Sequence, residues 1–247
     1  YSQLGEARTH SWIRQFDQFI GTVSHELGVD PAGLAPLAIV VFEDDRRFAP
    51  YKPLRPDGTP PESLRGFFAR REGWNVVGVA ADRDRTAIDP VVLHEGVHWM
   101  LSVDGRSYPA WFSEGAAELF STFRVRRANA SWGDPQPGLL RVLRGAETPA
   151  LEQLLAAGRS DATFDAAGST GLFYARSWAL THYLVQRFGA KETFARLRDW
   201  MDRGGAADPA TVLQAAFGLD VREVEAAVAG YSRAALFARG TAPVGPG

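Results

Sequence analysis

The pentapeptide His94-Glu95-Gly96-Val97-His98 constrains this chain more than any other segment. On a helix, two imidazoles four positions apart stand on one face, a turn apart, close enough for both to reach one metal ion. A carboxylate directly after the first imidazole lies beside that ion, where it can take a proton from a water. The surroundings agree. Asp89 and Pro90 predict a capped helix start, and Asp104-Gly105 predicts its end. Between them Val91, Val92, Leu93, Val97, Trp99, Met100 and Leu101 supply apolar bulk nearly all round. Two imidazoles and a carboxylate in so apolar a helix need partners, and one cation satisfies all three. The alternative is a pair of core histidines bonded to backbone carbonyls, with Glu95 facing solvent.

After Gly105, the stretch from Pro109 to Glu118 reads as a second helix, again opened by proline. Glu114 and Glu118 lie one turn apart on one face, and Gly115, Ala116 and Ala117 let that face approach a neighbour closely. Like charges so placed repel unless a cation lies between or beside them. A catalytic zinc takes three protein ligands and leaves a fourth position open, so Glu114 is the expected third ligand. Glu118 is then expected to accept the other N–H of His94 and fix its tautomer. The two glutamates could exchange these roles, and a solvated face is the alternative for Glu118.

The His94-Glu95-x-x-His98 motif, followed by Trp111-Phe112-Ser113-Glu114-Gly115-Ala116-Ala117-Glu118, resembles the gluzincin zinc metallopeptidases, in particular their bacterial peptidase MA-like branch. The resemblance spans about residues 35–190 and is specific at the two zinc motifs. It implies a thermolysin-like catalytic core, Zn2+ held by His94, His98 and Glu114, and Glu118 orienting the first histidine. It also implies a tyrosine that stabilises the oxyanion, which falls on Tyr174; a buried helix containing Phe173, Tyr174, Trp178, Leu180, Leu184 and Val185 would show the same residues. The Gly-x-Met-Glu-Asn clamp of the related aminopeptidases is absent from the sequence, which argues against aminopeptidase activity.

The remaining sequence predicts an α+β fold: a small mixed sheet with an edge strand over the zinc-binding helix, then a mainly helical C-terminal half. Residues 8–27 carry Trp12, Ile13, Phe16, Phe19, Ile20, Val23 and Leu27 as one helical stripe. Residues 37–43 read as a buried strand, and 66–71 with 74–81 as a hairpin turning at Arg71-Glu72-Gly73. The second hairpin strand is expected to border the cleft, as the edge strand does in gluzincins, with Gly78 letting a peptide approach; a bulge is the other reading of that glycine. Residues 44–66, with five prolines, predict an irregular loop that is a lid, a specificity wall or a plain surface excursion.

From Pro90 onward helices are expected at 90–103, 109–127, 137–144, 149–157, 171–188, 191–203, 208–217 and 220–237. Arg124, Arg126 and Arg127 then sit at a helix C-terminus, where cations suit the dipole. The expected organisation is a catalytic domain over 1–189, a helical extension packed on it over 190–237, and a disordered tail over 238–247. His182 is read as a satisfied histidine.

With no cysteine, thiolate zinc sites, thiol nucleophiles and disulfides are excluded. A net charge of −2 gives no reason to expect nucleic acid, and no apolar run reaches the length of a membrane span. The start at Tyr1 without Met suits a mature or trimmed form; localisation is left open, with a periplasmic or secreted place favoured. The expectation is an enzyme, a zinc metallopeptidase acting within peptide or protein chains through a metal-activated water with Glu95 as general base. The alternatives are a silent metal-binding relative serving as a scaffold, or a zinc hydrolase of other amides or esters. Oligomeric state and substrate preference stay open.

Overall fold

Helix α1 (Glu6–Leu27) forms because Trp12, Phe16, Phe19, Val23 and Leu27 recur at three- and four-residue spacing and all become buried, while Ile13 stays half exposed. It stops at Gly28, whose positive φ lets its N–H return to the last turn. The computed structural model describes residues 1–55, 57–61, 64–71, 73–82, 86–145, 149–158, 170–205, 208–234 and 236–244. Glu72 of the expected hairpin turn, Pro56 and residues 62–63 of the expected loop, and residues 235 and 245–247 lie outside them.

Three strands follow α1: β1 (Leu37–Phe42), β2 (Gly66–Arg71) and β3 (Trp74–Ala80). They form a mixed sheet in the order β1-β3-β2, with β1 parallel and β2 antiparallel to β3. This corrects the expectation that 74–81 borders the cleft: β3 is central and β2 is the edge. The reason is β1, which pairs along the other side of β3 from Leu37 opposite Asn75 to Phe42 opposite Ala80. Gly78 does not receive a peptide either, because the ring of Phe67 on β2 covers the place a Cβ would occupy. The stretch 44–66 is also more regular than expected. Asp44 accepts the Arg47 N–H at 2.9 Å and caps a short helix α2 (Asp45–Phe48), whose buried Phe48 packs with Phe42 and Phe67 on one face of the sheet.

On the other face lie the site helices, α3 (Pro90–Leu101) and α4 (Ala110–Ser121). Helices α5 (Pro137–Gly145), α6 (Leu151–Ala156), α7 (Thr170–Phe188), α8 (Ala190–Asp202), α9 (Val212–Phe217) and α10 (Val221–Ala229) follow along the chain. Helix α4 lies so close to α7 that a Cβ on Gly115 would collide with the Ser177 carbonyl and Thr181 Oγ1. Phe194, Leu197 and Trp200 of α8 share one apolar cluster with Phe112 and Trp178, and the Phe112 and Phe194 rings meet at 4.7 Å. Among the described residues no helix is long and apolar enough to cross a membrane.

A second sheet forms from segments expected as helix end, loop and tail. The helix expected over 109–127 stops at Ser121; Arg124–Arg126 becomes β4 and Asn129–Trp132 becomes β5, paired antiparallel around Arg127 at φ 58°. Alternation explains the switch: Val125 turns inward while Arg124 and Arg126 stay exposed, so the arginines decorate a strand and not a helix end. The helix expected over 220–237 likewise ends at Ala229. The expected disordered tail instead contains strand β6 (Gly240–Pro243), paired with β5. His182 anchors it. The Ala238 carbonyl can only accept, so His182 Nε2–H donates to it at 2.8 Å, leaving Nδ1 to accept from the Tyr231 hydroxyl at 2.8 Å. Arg239 adds a 2.6 Å bond to Asp134.

Candidate metal centre

Asp89 Oδ1 accepts the Val91 N–H at 3.0 Å and Pro90 occupies the first turn, which fixes where α3 begins and therefore which face His94 and His98 share. That face meets α4. His94 Nε2 lies 3.3 Å from Glu114 Oε2, His98 Nε2 lies 3.4 Å from the same oxygen, and the two Nε2 atoms are 3.2 Å apart. The three donor atoms thus form a nearly equilateral triangle. Donors bound tetrahedrally at about 2.0–2.1 Å stand about 3.3–3.4 Å from one another, so the triangle has the dimensions of three corners around a zinc-sized cation. His94, His98 and Glu114 could hold a metal ion, whose identity the donor set leaves open among divalent cations.

The surrounding groups fix both imidazoles with Nε2 inward. Glu118 Oε1 lies 3.5 Å from His94 Nδ1, and Ser113 Oγ lies 3.1 Å from His98 Nδ1. Glu118 is held in turn by Gln136, whose Nε2 donates to Glu118 Oε2 at 2.8 Å. Burial disfavours a charge on His94, but its bond to Glu114 and the fields of Glu118, Glu95 and Glu114 outweigh that and raise its pKa to about 9. Burial also works to raise the pKa of Glu114, yet the two histidines hold it well below the usual carboxylate range. Glu118 is pushed up by burial, with Glu114 and Glu95 adding to the effect. Carboxylates thus surround the imidazoles in a setting that favours positive charge, which suits a cation.

Glu95 and Tyr174 line the cleft beside this triangle, and the Tyr174 ring stands 6.4 Å from that of His94 between centroids. Two cavities, of about 710 and 590 Å³, share Leu64, Gly66, His94, Glu95 and Tyr174. One continues past His98 to Arg106 and Tyr108, the other past Glu118 to Gln136 and Asp82. The far wall of the first is stiffened by Arg106, which donates to Asp104 at 2.9 Å and to both oxygens of Asp202, while Tyr108 donates to Asp104 at 2.7 Å. Leu64, at the end of the proline-containing segment, contributes to the wall of both.

Strand β2 runs along the same cleft. The Arg65 carbonyl accepts from Ala80 N at 2.9 Å, so antiparallel alternation turns the backbone groups of residues 65, 67, 69 and 71 toward β3. Those of Gly66, Phe68 and Arg70 turn outward, and these three residues line the larger cavity.

All six residues singled out from the sequence gather here: His94, His98 and Glu114 at the triangle, Glu118 behind His94, and Glu95 and Tyr174 in the cleft. Sequence reasoning missed Ser113 and Gln136. Ser113 directly precedes Glu114 on its helix, a position from which a short hydroxyl side chain reaches a neighbouring imidazole; Gln136 carries no such signal, because its contact joins distant segments. A family model described as "Protein of unknown function (DUF1570)" matches residues 89–203, somewhat under half of the chain. No curated protein matches the sequence. The chain is therefore similar to proteins of unknown function over a segment that begins at the cap of α3 and carries the whole donor triangle together with Glu95, Glu118, Gln136 and Tyr174.

Proposed function

We propose that this chain is a metal-dependent peptidase of the gluzincin type, with zinc as its metal, cleaving internal bonds of peptide or protein substrates. The observation that carries the reading is the triangle of His94, His98 and Glu114 donors with Glu95 beside it in an open cleft. The chemistry that such an ion supplies when bound is Lewis acidity toward a carbonyl oxygen and a water. Glu95 takes a proton from the water as its oxygen attacks the scissile carbonyl carbon, then passes that proton to the departing nitrogen as the C–N bond breaks. Tyr174 donates a hydrogen bond to the oxyanion developing at the carbonyl. Glu118 and Ser113 hold the imidazoles in the tautomer that points Nε2 at the ion.

Two further features support a peptide chain as substrate. The outward backbone groups of Gly66, Phe68 and Arg70 offer the pairing edge that an extended peptide needs. The cleft continues on both sides of His94 and Glu95, so a chain can extend in either direction from the reacting bond.

The test is incubation of the purified protein with a mixed peptide library, read by mass spectrometry, with chelator and after metal restoration. Internal cleavages that chelator abolishes and zinc restores are expected. Absence of cleavage with saturating metal, or cleavage indifferent to chelator, would overturn the proposal; release of terminal residues alone would overturn its endopeptidase part.

A further inference from the structure

Gln136 occupies a position that its local sequence, Asp134-Pro135-Gln136-Pro137, does not advertise. The prolines on either side restrict the backbone there, and the Gln136 carbonyl accepts from Leu139 N at 3.0 Å at the start of α5. Two residues earlier, Asp134 is gripped from two sides, by Arg124 of β4 at 3.2 Å and by Arg239, just before β6, at 2.6 Å. The backbone carrying Gln136 is thus anchored on both sides. Its side chain reaches α4, where Nε2 donates to Glu118 Oε2 at 2.8 Å and to Ser121 Oγ at 3.1 Å. Ser121 Oγ in turn donates to the Glu118 carbonyl at 2.8 Å, leaving its lone pairs for the amide.

We propose that Gln136 is a positioning residue of the metal centre, an inference that rests on reading His94, His98 and Glu114 as metal ligands. A buried carboxylate has two oxygens and a freely turning terminal bond. Gln136 holds Oε2, which leaves Oε1 facing His94 Nδ1. The direction of His94 Nε2 toward the other two donors is therefore set from a segment outside both site helices. Groups that orient a metal-ligating imidazole in this way are worth about 10–100-fold in metal affinity.

The test measures zinc affinity of the full chain by competition with a chromophoric chelator, and the absorption spectrum of its cobalt form. Gln136→Met keeps the bulk and removes the donor. It is expected to weaken zinc binding about tenfold and to shift the cobalt bands, with the metal-free protein melting as the wild type does. If the metal-free variant melts earlier, a double-mutant cycle decides. In a Glu118→Ala background, Gln136→Met costs no further affinity if it acts through Glu118, whereas a further tenfold loss there overturns the inference. Wild-type affinity in Gln136→Met also overturns it. A wild-type chain that binds no metal would sink the metal centre and this inference together; failure to cleave peptides, with metal still bound, touches the peptidase reading alone.

Discussion

Replacing Gly115 by alanine tests whether the approach of α4 to α7 holds the metal centre together. The added Cβ would fall well inside contact distance of the Ser177 carbonyl and Thr181 Oγ1. The carbonyl belongs to a helix backbone and cannot swing aside, so the helices must part by about 1 Å to restore ordinary contact distances. Overpacking of this kind costs about 1–3 kcal/mol. At the middle of that range the melting temperature of a chain this size falls by about 4–8 °C. Glu114 is the neighbouring residue, and metal–ligand distances tolerate about 0.2 Å, so a shift of α4 also opens the donor triangle. Zinc affinity is expected to fall at least about tenfold, equivalent to about 1.4 kcal/mol. The assay pairs thermal unfolding of the metal-free protein with a zinc competition titration. Gly138→Ala is the control, because open space lies where its Cβ would stand; it should be neutral or stabilising by up to about 1 kcal/mol. A Gly115→Ala protein that melts and binds zinc like the wild type would refute the reasoning.

Glu95→Gln should retain metal while turnover falls about 10²–10⁴-fold, and full turnover in this variant would rule out the proton transfer assigned to Glu95. Tyr174→Phe should lower kcat about 10²–10³-fold with KM little changed; an effect on KM alone would make Tyr174 a binding residue. Burial, outweighing the bond to Ala238 and the nearby Asp134, lowers the pKa of His182 in the folded protein. The unfolded chain therefore takes up this proton first: the contribution of His182 is complete above about pH 6.5 and is lost as pH falls below it. Between pH 7.5 and 5 the urea midpoint of the metal-free His182→Gln protein should fall less, or rise more, than that of the metal-free wild type; identical slopes would exclude His182 as a contributor.

The site was legible because its residues repeat at helical spacing. His94 with His98 and Glu114 with Glu118 each sit one turn apart, so the sequence alone places each pair on a common face. That the two faces meet is a matter of packing, which Gly115 hints at without specifying. Strand order was less legible. Leu37–Phe42 and Trp74–Ala80 both read as largely apolar strands, and nothing local records that the first pairs beside the second and displaces it from the edge. The second sheet escaped for a related reason. Arg124–Arg126 is too short to display a period, and Gly240–Pro243 reads as tail by composition until β5 is there to pair with it. Gln136 follows the same rule, since its meaning lies in Glu118 and not in its neighbours along the chain.

The β5–β6 pairing has a kinetic corollary. Ala130 and Ala242 face each other across about 110 intervening positions, so their strands can zip together only after a long loop has closed. Local helices such as α3 and α4 form far sooner than such a distant ladder. During refolding the Asp134 anchor cannot receive Arg239 until that late event, so a zinc-binding signal should mature in step with the slowest conformational phase and lag behind the gain of helicity.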